Sequence, residues 1–335
     1  MPVASFLALR SAMPLVDVRS PAEYARGHIP GAHNLPLFTD EERAVVGTLY
    51  AQEGRVPAVV RGMEFVGPRM ADMTRRAMEL AGDGRKVALM CRRGGMRSAS
   101  VAWMLEQAEL AAYCLPGGYK AYRRHVLEQF SRPWPLRMLG GMTGSGKTEL
   151  LHVMRGQGSQ VIDLEALAMH RGSVFGAWNG IAQPGQEQFE NLLAEALSAC
   201  GASCPIWVED ECVNLGTVNI PRQFFEQMQA APLSMLEVPR AERLARLVRA
   251  YDAARNSFVA EGLRRIRKRL GDAAHDAAQS ALAAGRYAQT ASILLEYYDG
   301  AYRKQAARRP APIQTVLTAA GENLHSVAAR LREFA

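Results

Sequence analysis

At 335 residues the chain is too long for one compact core and predicts two or three domains. Its content of 48% hydrophobic and 22% charged residues is that of a globular protein, and no apolar run approaches the ~20 residues needed to cross a bilayer, so no membrane partner is expected. A net charge of +7 permits a polyanionic partner without demanding one.

The first residues carry only a short apolar patch, Phe6-Leu7-Ala8-Leu9, with Arg10 after it rather than before, so no signal peptide is expected. Five cysteines without tight clusters fit a reducing, cytoplasmic setting better than a disulfide framework. Cys200 and Cys204 have no second pair or histidine at zinc spacing, and no structural metal is expected. Pro14 to Arg19 reads as a strand ending in charge. Ser20-Pro21-Ala22-Glu23 then offers the N-cap, N1 proline and N3 glutamate of a capping box. The apolar run Lys86–Met90 predicts a buried strand, and a helical pattern begins at Ser98. Between them lies Cys91-Arg92-Arg93-Gly94-Gly95-Met96-Arg97-Ser98. A strand, a glycine-bearing loop and a helix start curl backbone N–H groups around one point. That field holds an oxyanion and favours thiolate over thiol, which makes Cys91 a candidate nucleophile. A buried structural cysteine is the plain alternative, but it needs neither the glycines nor the arginines.

The run Asp17–Ala32, the Cys91 loop and Leu115-Pro116-Gly117-Gly118-Tyr119-Lys120-Ala121-Tyr122 together resemble a rhodanese-like domain, here residues 1–130. Common rhodanese loops place an arginine after four intervening residues; here five separate Cys91 from Arg97. The wider ring of donors suits a larger tetrahedral oxyanion. It also matches cysteine phosphatases, although Met90 stands where those usually carry a histidine. Val126 to Pro135, with two prolines near its end, reads as a linker.

Gly141-Met142-Thr143-Gly144-Ser145-Gly146-Lys147-Thr148 fits G-x-x-x-x-G-K-[ST] in full, between a predicted strand at Leu136–Gly140 and a predicted helix at Glu149–Met154. Its glycines let backbone wrap a diphosphate, Lys147 neutralises charge, and Thr148 can reach a magnesium ion. Phosphoryl transfer, hydrolysis and diphosphate anchoring all use such a loop. Pro205–Glu211 predicts an apolar strand that ends in the three carboxylates Glu209, Asp210 and Glu211. Glu209 and Asp210 are candidates for an acid or magnesium-binding role, and Asp163 after Val161-Ile162 is a weaker one. The segments 170–176 and 183–191 are either ligand-facing loops or ordinary connectors.

From Arg240 onward the pattern is helical, with Leu244, Leu247, Val248 and Tyr251 forming an apolar stripe and Arg243, Arg246 and Arg249 on the other faces. Arg264, Arg265, Arg267, Lys268 and Arg269 either track an RNA backbone or form a solvated face. The expected fold is α/β: a rhodanese-like α/β domain, a P-loop NTPase-like α/β domain (131–239) and a helical C-terminal extension (240–335) whose basic run is a candidate RNA contact.

This order of modules resembles the tRNA 2-selenouridine synthase family. The resemblance extends to Asp163-Leu164-Glu165, His170-Arg171-Gly172-Ser173, Gln183-Pro184-Gly185-Gln186, Val208–Glu211, Arg269-Leu270-Gly271 and Tyr297-Tyr298-Asp299. Cys212-Val213-Asn214 and Gly300-Ala301 depart from its pattern. It implies that tRNA carrying 2-thiouridine at the wobble position is the partner and that geranyl diphosphate alkylates the sulfur. Selenium from selenophosphate, made by a separate enzyme, then replaces the geranylthio group. It further implies Cys91 as the selenium-carrying nucleophile, Arg92–Ser98 around selenophosphate, the P-loop around diphosphate, and no tightly bound cofactor beyond a candidate magnesium ion. Two other classes stay open: a sulfurtransferase fused to a nucleotide-dependent kinase, and a non-catalytic tRNA-binding module.

Overall fold

The computed structural model describes residues 1–170, 182–252, 256–311 and 313–333. The chain separates into two units, Met1–Gln129 with Glu190–Ala194, and Phe130–Phe189 with Glu195–Ala335.

In chain order the first unit contains α1 (Val3–Ala8), β1 (Leu15–Asp17), α2 (Pro21–Arg26), β2 (His33–Asn34), α3 (Asp40–Gln52), α4 (Arg55–Val66), α5 (Met70–Ala81), β3 (Lys86–Met90), α6 (Met96–Gln107), β4 (Ala111–Cys114) and α7 (Gly118–Ser131). Its sheet is parallel throughout, in the order β2-β1-β3-β4. Val87, Ala88, Leu89 and Met90 are all buried, as a central strand covered on both faces requires. The capping box forms at α2, with Pro21 in its first turn. The expected linker is shorter than its prolines suggest, because α7 runs on to Ser131. Tyr122, Val126 and Phe130 recur at helical spacing and are buried, so packing holds that stretch in a helix until Pro133 ends it.

The second unit adds β5 (Leu136–Gly141), α8 (Lys147–Gly156), β6 (Gln160–Ile162), α9 (Leu164–Ala168), α10 (Gln186–Ala199), β7 (Ile206–Glu209), β8 (Asn214–Leu215), β9 (Val218–Asn219), α11 (Arg222–Ala230), β10 (Leu233–Glu237), α12 (Arg240–Asp252), α13 (Asn256–Leu270), α14 (Asp272–Ala283), α15 (Tyr287–Ala306), β11 (Ile313–Thr318) and α16 (Leu324–Arg332). Its main sheet is parallel in the order β11-β10-β5-β7-β6, and β8 and β9 form a small antiparallel hairpin. The C-terminal region is therefore not helical throughout. Pro310 stops the helical pattern, and the β-branched run Ile313, Thr315, Val316 and Thr318 pairs with β10. Leu139, Leu150, Leu151, Met154, Trp207, Leu317, Val327 and Leu331 build one core. Val259, Leu263, Ile266, Leu282 and Leu294 build a second, against which Leu244, Leu247 and Val248 of the predicted stripe pack. No helix among the described residues is long and apolar enough to cross a membrane.

Candidate functional site

Cys91 follows β3 directly, and α6 begins at Met96, so the loop between them is short and tightly bent. The Cys91 Sγ lies 3.2 Å from Ser98 Oγ. Burial alone would raise the pKa of this thiol. The Ser98 hydroxyl and the backbone N–H groups of Arg93, Ser98 and Gly95 outweigh burial and bring it below the ordinary thiol value. The loop is clamped from behind by the first turn of α7. Tyr119 N donates to Cys91 O at 2.8 Å and Lys120 N to Arg92 O at 2.9 Å. A Cβ on Gly94 would lie 2.5 Å from Leu115 O, and one on Gly118 would collide with Cys91 O and Gly94 N. Both residues also have positive φ, so this closing turn needs glycine at both places. Gly95 is different: its φ is −112° and a Cβ there would meet nothing within 4 Å.

The arginines of the loop divide into two kinds. Arg92 and Arg93 are exposed, and no side-chain partner for them occurs among the described residues. Arg97 turns to Glu23, with Nη1 2.6 Å from Oε2 and Nη2 3.2 Å from Oε1. Burial opposes the charge on Glu23, but the Arg97 hydrogen bonds win and hold its carboxyl below the usual value. Arg97 is thus tied to α2, and the capping box of that helix doubles as its anchor. Arg19 plays a similar part behind the loop: it pairs with buried Asp17 at 2.6 Å and lies 3.7 Å over the Tyr119 ring. Met96 is exposed and Ser98 buried.

In the second unit, Gly141 ends β5, residues 142–146 form the turn, and Lys147 opens α8. Lys147 Nζ donates to Gly141 O at 3.0 Å, and Thr148 Oγ1 donates to Glu209 Oε1 at 2.9 Å. Gly144 and Gly146 have φ of 79° and 85°, which lets the loop curl without strain. Ser145 is buried and its hydroxyl has no partner among the described residues.

The three carboxylates nominated from sequence have different fates. Glu209 faces the P-loop; its Oε2 is buried without a partner among the described residues. Burial pushes its carboxyl up against the pull of Lys147 and Thr148. Asp210 points elsewhere: its Oδ1 is 2.6 Å from Arg309 Nη1, and it accepts from Tyr302 at 3.2 Å. Burial still raises its pKa, with Arg309 opposing. The Tyr302 hydroxyl oxygen in turn accepts from Gly141 N, at the end of β5, at 3.0 Å. Asp210 is therefore a buried tie between β7 and the C-terminal segment. Asp163 caps α9 by accepting from Ala166 N at 2.8 Å and pairs with His152 at 2.7 Å. The group that does join Glu209 is Glu165 with Glu211, whose oxygens and those of Glu209 all lie within 4.8 Å of one another. Burial, then mutual repulsion, raises the pKa of Glu165; burial raises Glu211 against Lys147. Three hard oxygen donors beside Thr148, one with an unused buried oxygen, fit a divalent cation such as magnesium.

Of the C-terminal cations, Arg264, Arg265, Arg267, Lys268 and Arg269 are all exposed on α13. Arg264 and Arg265 share Glu261, and Arg267 pairs with Asp272 at 2.7 Å. Arg243, which its spacing put off the apolar stripe of α12, is nonetheless buried. It is 4% exposed and forked onto Asp299 at 2.8 and 2.9 Å. Tyr302 and Arg309 left no local signal, since they meet Asp210 across 92 and 99 residues. Gln183 accepts from Thr217 N and donates to Ala168 O and Leu215 O, so it braces the β8–β9 hairpin. Residues 171–176 of the loop singled out in the sequence lie outside the described residues.

Two family models match the chain: the rhodanese-like domain over residues 4–125 and the tRNA 2-selenouridine synthase AAA domain over residues 134–333. The tRNA 2-selenouridine synthase of Shewanella sediminis is 34% identical over 335 residues, covering 89% of each chain. That of Cronobacter sakazakii is 36% identical over 334 residues, covering 88% of this chain and 87% of the relative. That of Serratia proteamaculans is 37% identical over 281 residues, covering 77% and 74%. These likenesses run through both the Cys91 loop and the P-loop in one order, and the chain belongs to the tRNA 2-selenouridine synthase family.

Proposed function

We propose that this chain converts wobble 2-thiouridine in tRNA to 2-selenouridine in two stages. In the first, the thiouridine sulfur is alkylated by geranyl diphosphate held at the P-loop. In the second, selenophosphate bound at the Cys91 loop passes its phosphoryl group to the Cys91 sulfur as the P–Se bond breaks, and the selenide released attacks C2 of the base and expels the geranylthiolate. The observation that carries this reading is the pairing of two differently built anion sites in one family member. One is a thiol whose ionisation is favoured by Ser98 and three backbone N–H groups. The other is a P-loop whose lysine and threonine stand beside a carboxylate cluster. A low-pKa thiolate takes the phosphoryl group of selenophosphate and frees selenide; a diphosphate-wrapping loop stabilises a diphosphate leaving group.

Arg92 and Arg93, exposed and without side-chain partners among the described residues, are the cations for the oxygens of selenophosphate. Arg97 shapes the loop through Glu23. Thr148, Glu209, Glu165 and Glu211 would hold magnesium, which would supply positive charge to the diphosphate. The α13 cations are the tRNA-facing groups, a separate enzyme supplies selenophosphate, and the reaction belongs in the cytoplasm. The test is mass analysis of wobble nucleosides in tRNA from cells lacking this protein. Selenouridine should vanish and return with the wild-type gene; normal selenouridine in the deletion strain would end this reading.

A further inference from the structure

Arg243 and Arg246 sit one turn apart on α12, on one face, and both reach the P-loop. A Cβ on Gly144 would lie 2.9 Å from Arg243 O, and one on Gly146 would collide with Arg246 Nη1. The two arginines are otherwise unlike. Arg243 spends its donors on protein: Val238 O at 3.2 Å, Thr143 O at 3.1 Å and both oxygens of Asp299. Arg246 Nη1 is buried and has no acceptor among the described residues. A guanidinium stays charged at every accessible pH, and a buried donor without an acceptor destabilises the fold. Ser145 Oγ, in the same loop, is likewise buried without a partner among the described residues.

We infer that Arg246 is a catalytic residue of the P-loop site, donating through Nη1 to the diphosphate bound there and neutralising it as it leaves. This rests on the reading that the P-loop takes the prenyl diphosphate. The loop N–H groups and Lys147 meet that anion on the α8 side, and Arg246 meets it from α12. In the reaction the bond from prenyl C1 to the diphosphate oxygen breaks, and its electron pair stays on that oxygen. A new bond forms between C1 and the thiouridine sulfur, and the N3 proton of the base leaves to solvent. Charge therefore grows on the diphosphate as the bond lengthens, where a fixed cation in a buried place is most effective. Arg243, locked on Asp299, sets the face of α12 that delivers Arg246.

The experiment is calorimetric titration of the full-length protein with inorganic diphosphate in the presence of magnesium. Four proteins are compared: wild type, Arg246→Gln, Lys147→Ala and the exposed-site control Arg249→Ala. Arg246→Gln should weaken binding by roughly 10- to 100-fold, the range of a charge-assisted hydrogen bond. Lys147→Ala should weaken it comparably, and Arg249→Ala should not change it. Without ligand, Arg246→Gln should melt no lower than wild type, because it removes an unmatched buried donor; a merely structural arginine would lower it. If Lys147→Ala weakens binding and Arg246→Gln does not, the role of Arg246 is refuted while the P-loop reading stands. Wild-type affinity in both variants overturns both. Should Arg246→Gln fail to fold, Arg246→Lys keeps the charge without the planar fork and should bind several-fold more weakly; wild-type affinity there equally refutes the role.

Discussion

Of the four thiols whose ionisation is displaced, burial lifts Cys114, Cys200 and Cys212, whereas Ser98 and the loop N–H groups bring Cys91 down. A small alkylating agent used below the ordinary thiol range should therefore label Cys91 before those three. Site-resolved mass spectrometry would check this, and Ser98→Ala should move the half-maximal rate of Cys91 labelling to higher pH. The same shift has a sign for stability. Between the folded value of Cys91 and the ordinary thiol value the folded chain binds fewer protons than the unfolded one. Stability from this group is thus present above that window and is lost as pH falls through the folded value. Cys91→Ser keeps the shape but gives a hydroxyl that stays protonated and leaves poorly. It should still yield geranylated thiouridine in tRNA yet no selenouridine, and near-normal selenouridine would remove Cys91 from the chemistry. Neighbouring carboxylates should separate as sharply. Asp210→Ala strands Arg309 as a buried unpaired cation, a loss of about 3–5 kcal/mol by urea unfolding. Glu209→Gln should instead lower magnesium affinity with little loss of stability, because its Oε2 has no partner to lose among the described residues.

Glycine requirements decide matters at the level of elements. The turn that opens α7 packs its backbone on the backbone of the Cys91 loop, and Gly118 has no room for a Cβ. Gly118→Ala should cost more than about 1 kcal/mol, since it combines positive φ with a backbone collision. The selenium step should fail with it, while diphosphate affinity in the second unit is retained. Gly95→Ala, in open space with ordinary φ, should be nearly neutral in the same unfolding measurement. α12 shows the complementary case. Leu244, Leu247 and Val248 of its stripe pack on the helical core as their spacing predicts, but Arg243 and Arg246 are sorted by what lies opposite them rather than by period.

For the molecule as a whole, a net charge of +7 matters mainly through where free cations remain. On α13, Glu261 and Asp272 already engage Arg264, Arg265 and Arg267, so these three give up an ion pair to reach a phosphate. Lys268 and Arg269 have no ion-pair partner among the described residues. Each phosphate contact contributes a log–log salt slope of about 0.7–0.9 to tRNA binding. Replacing Lys268 and Arg269 by Ala should flatten that slope by about one and a half units. Replacing Arg264 and Arg265 should flatten it by less, measured by filter binding across salt concentrations. An unchanged slope in both would make α13 a solvated face.

The sequence by itself determined what depends on neighbours in the chain. The Cys91 loop, the capping box at Ser20–Glu23 and the P-loop are runs in which glycine φ, capping and N–H convergence act over a few residues. The module order and the family followed from those runs. What it could not determine was which of several like residues a fold would use. Glu209, Asp210 and Glu211 are adjacent in sequence, yet Glu209 and Glu211 join Glu165 whereas Asp210 pairs with Arg309, 99 residues away. Glu165 joins Glu209 only because β6 lies beside β7. Arg243 became a buried tie and Arg246 a neighbour of the P-loop because α12 runs past Gly144 and Gly146. β11 is a strand because an open edge of β10 was there to pair with it. Local geometry is written in short spacings, but the partner of a buried charge is chosen by packing between distant segments, and only the tertiary structure decides that.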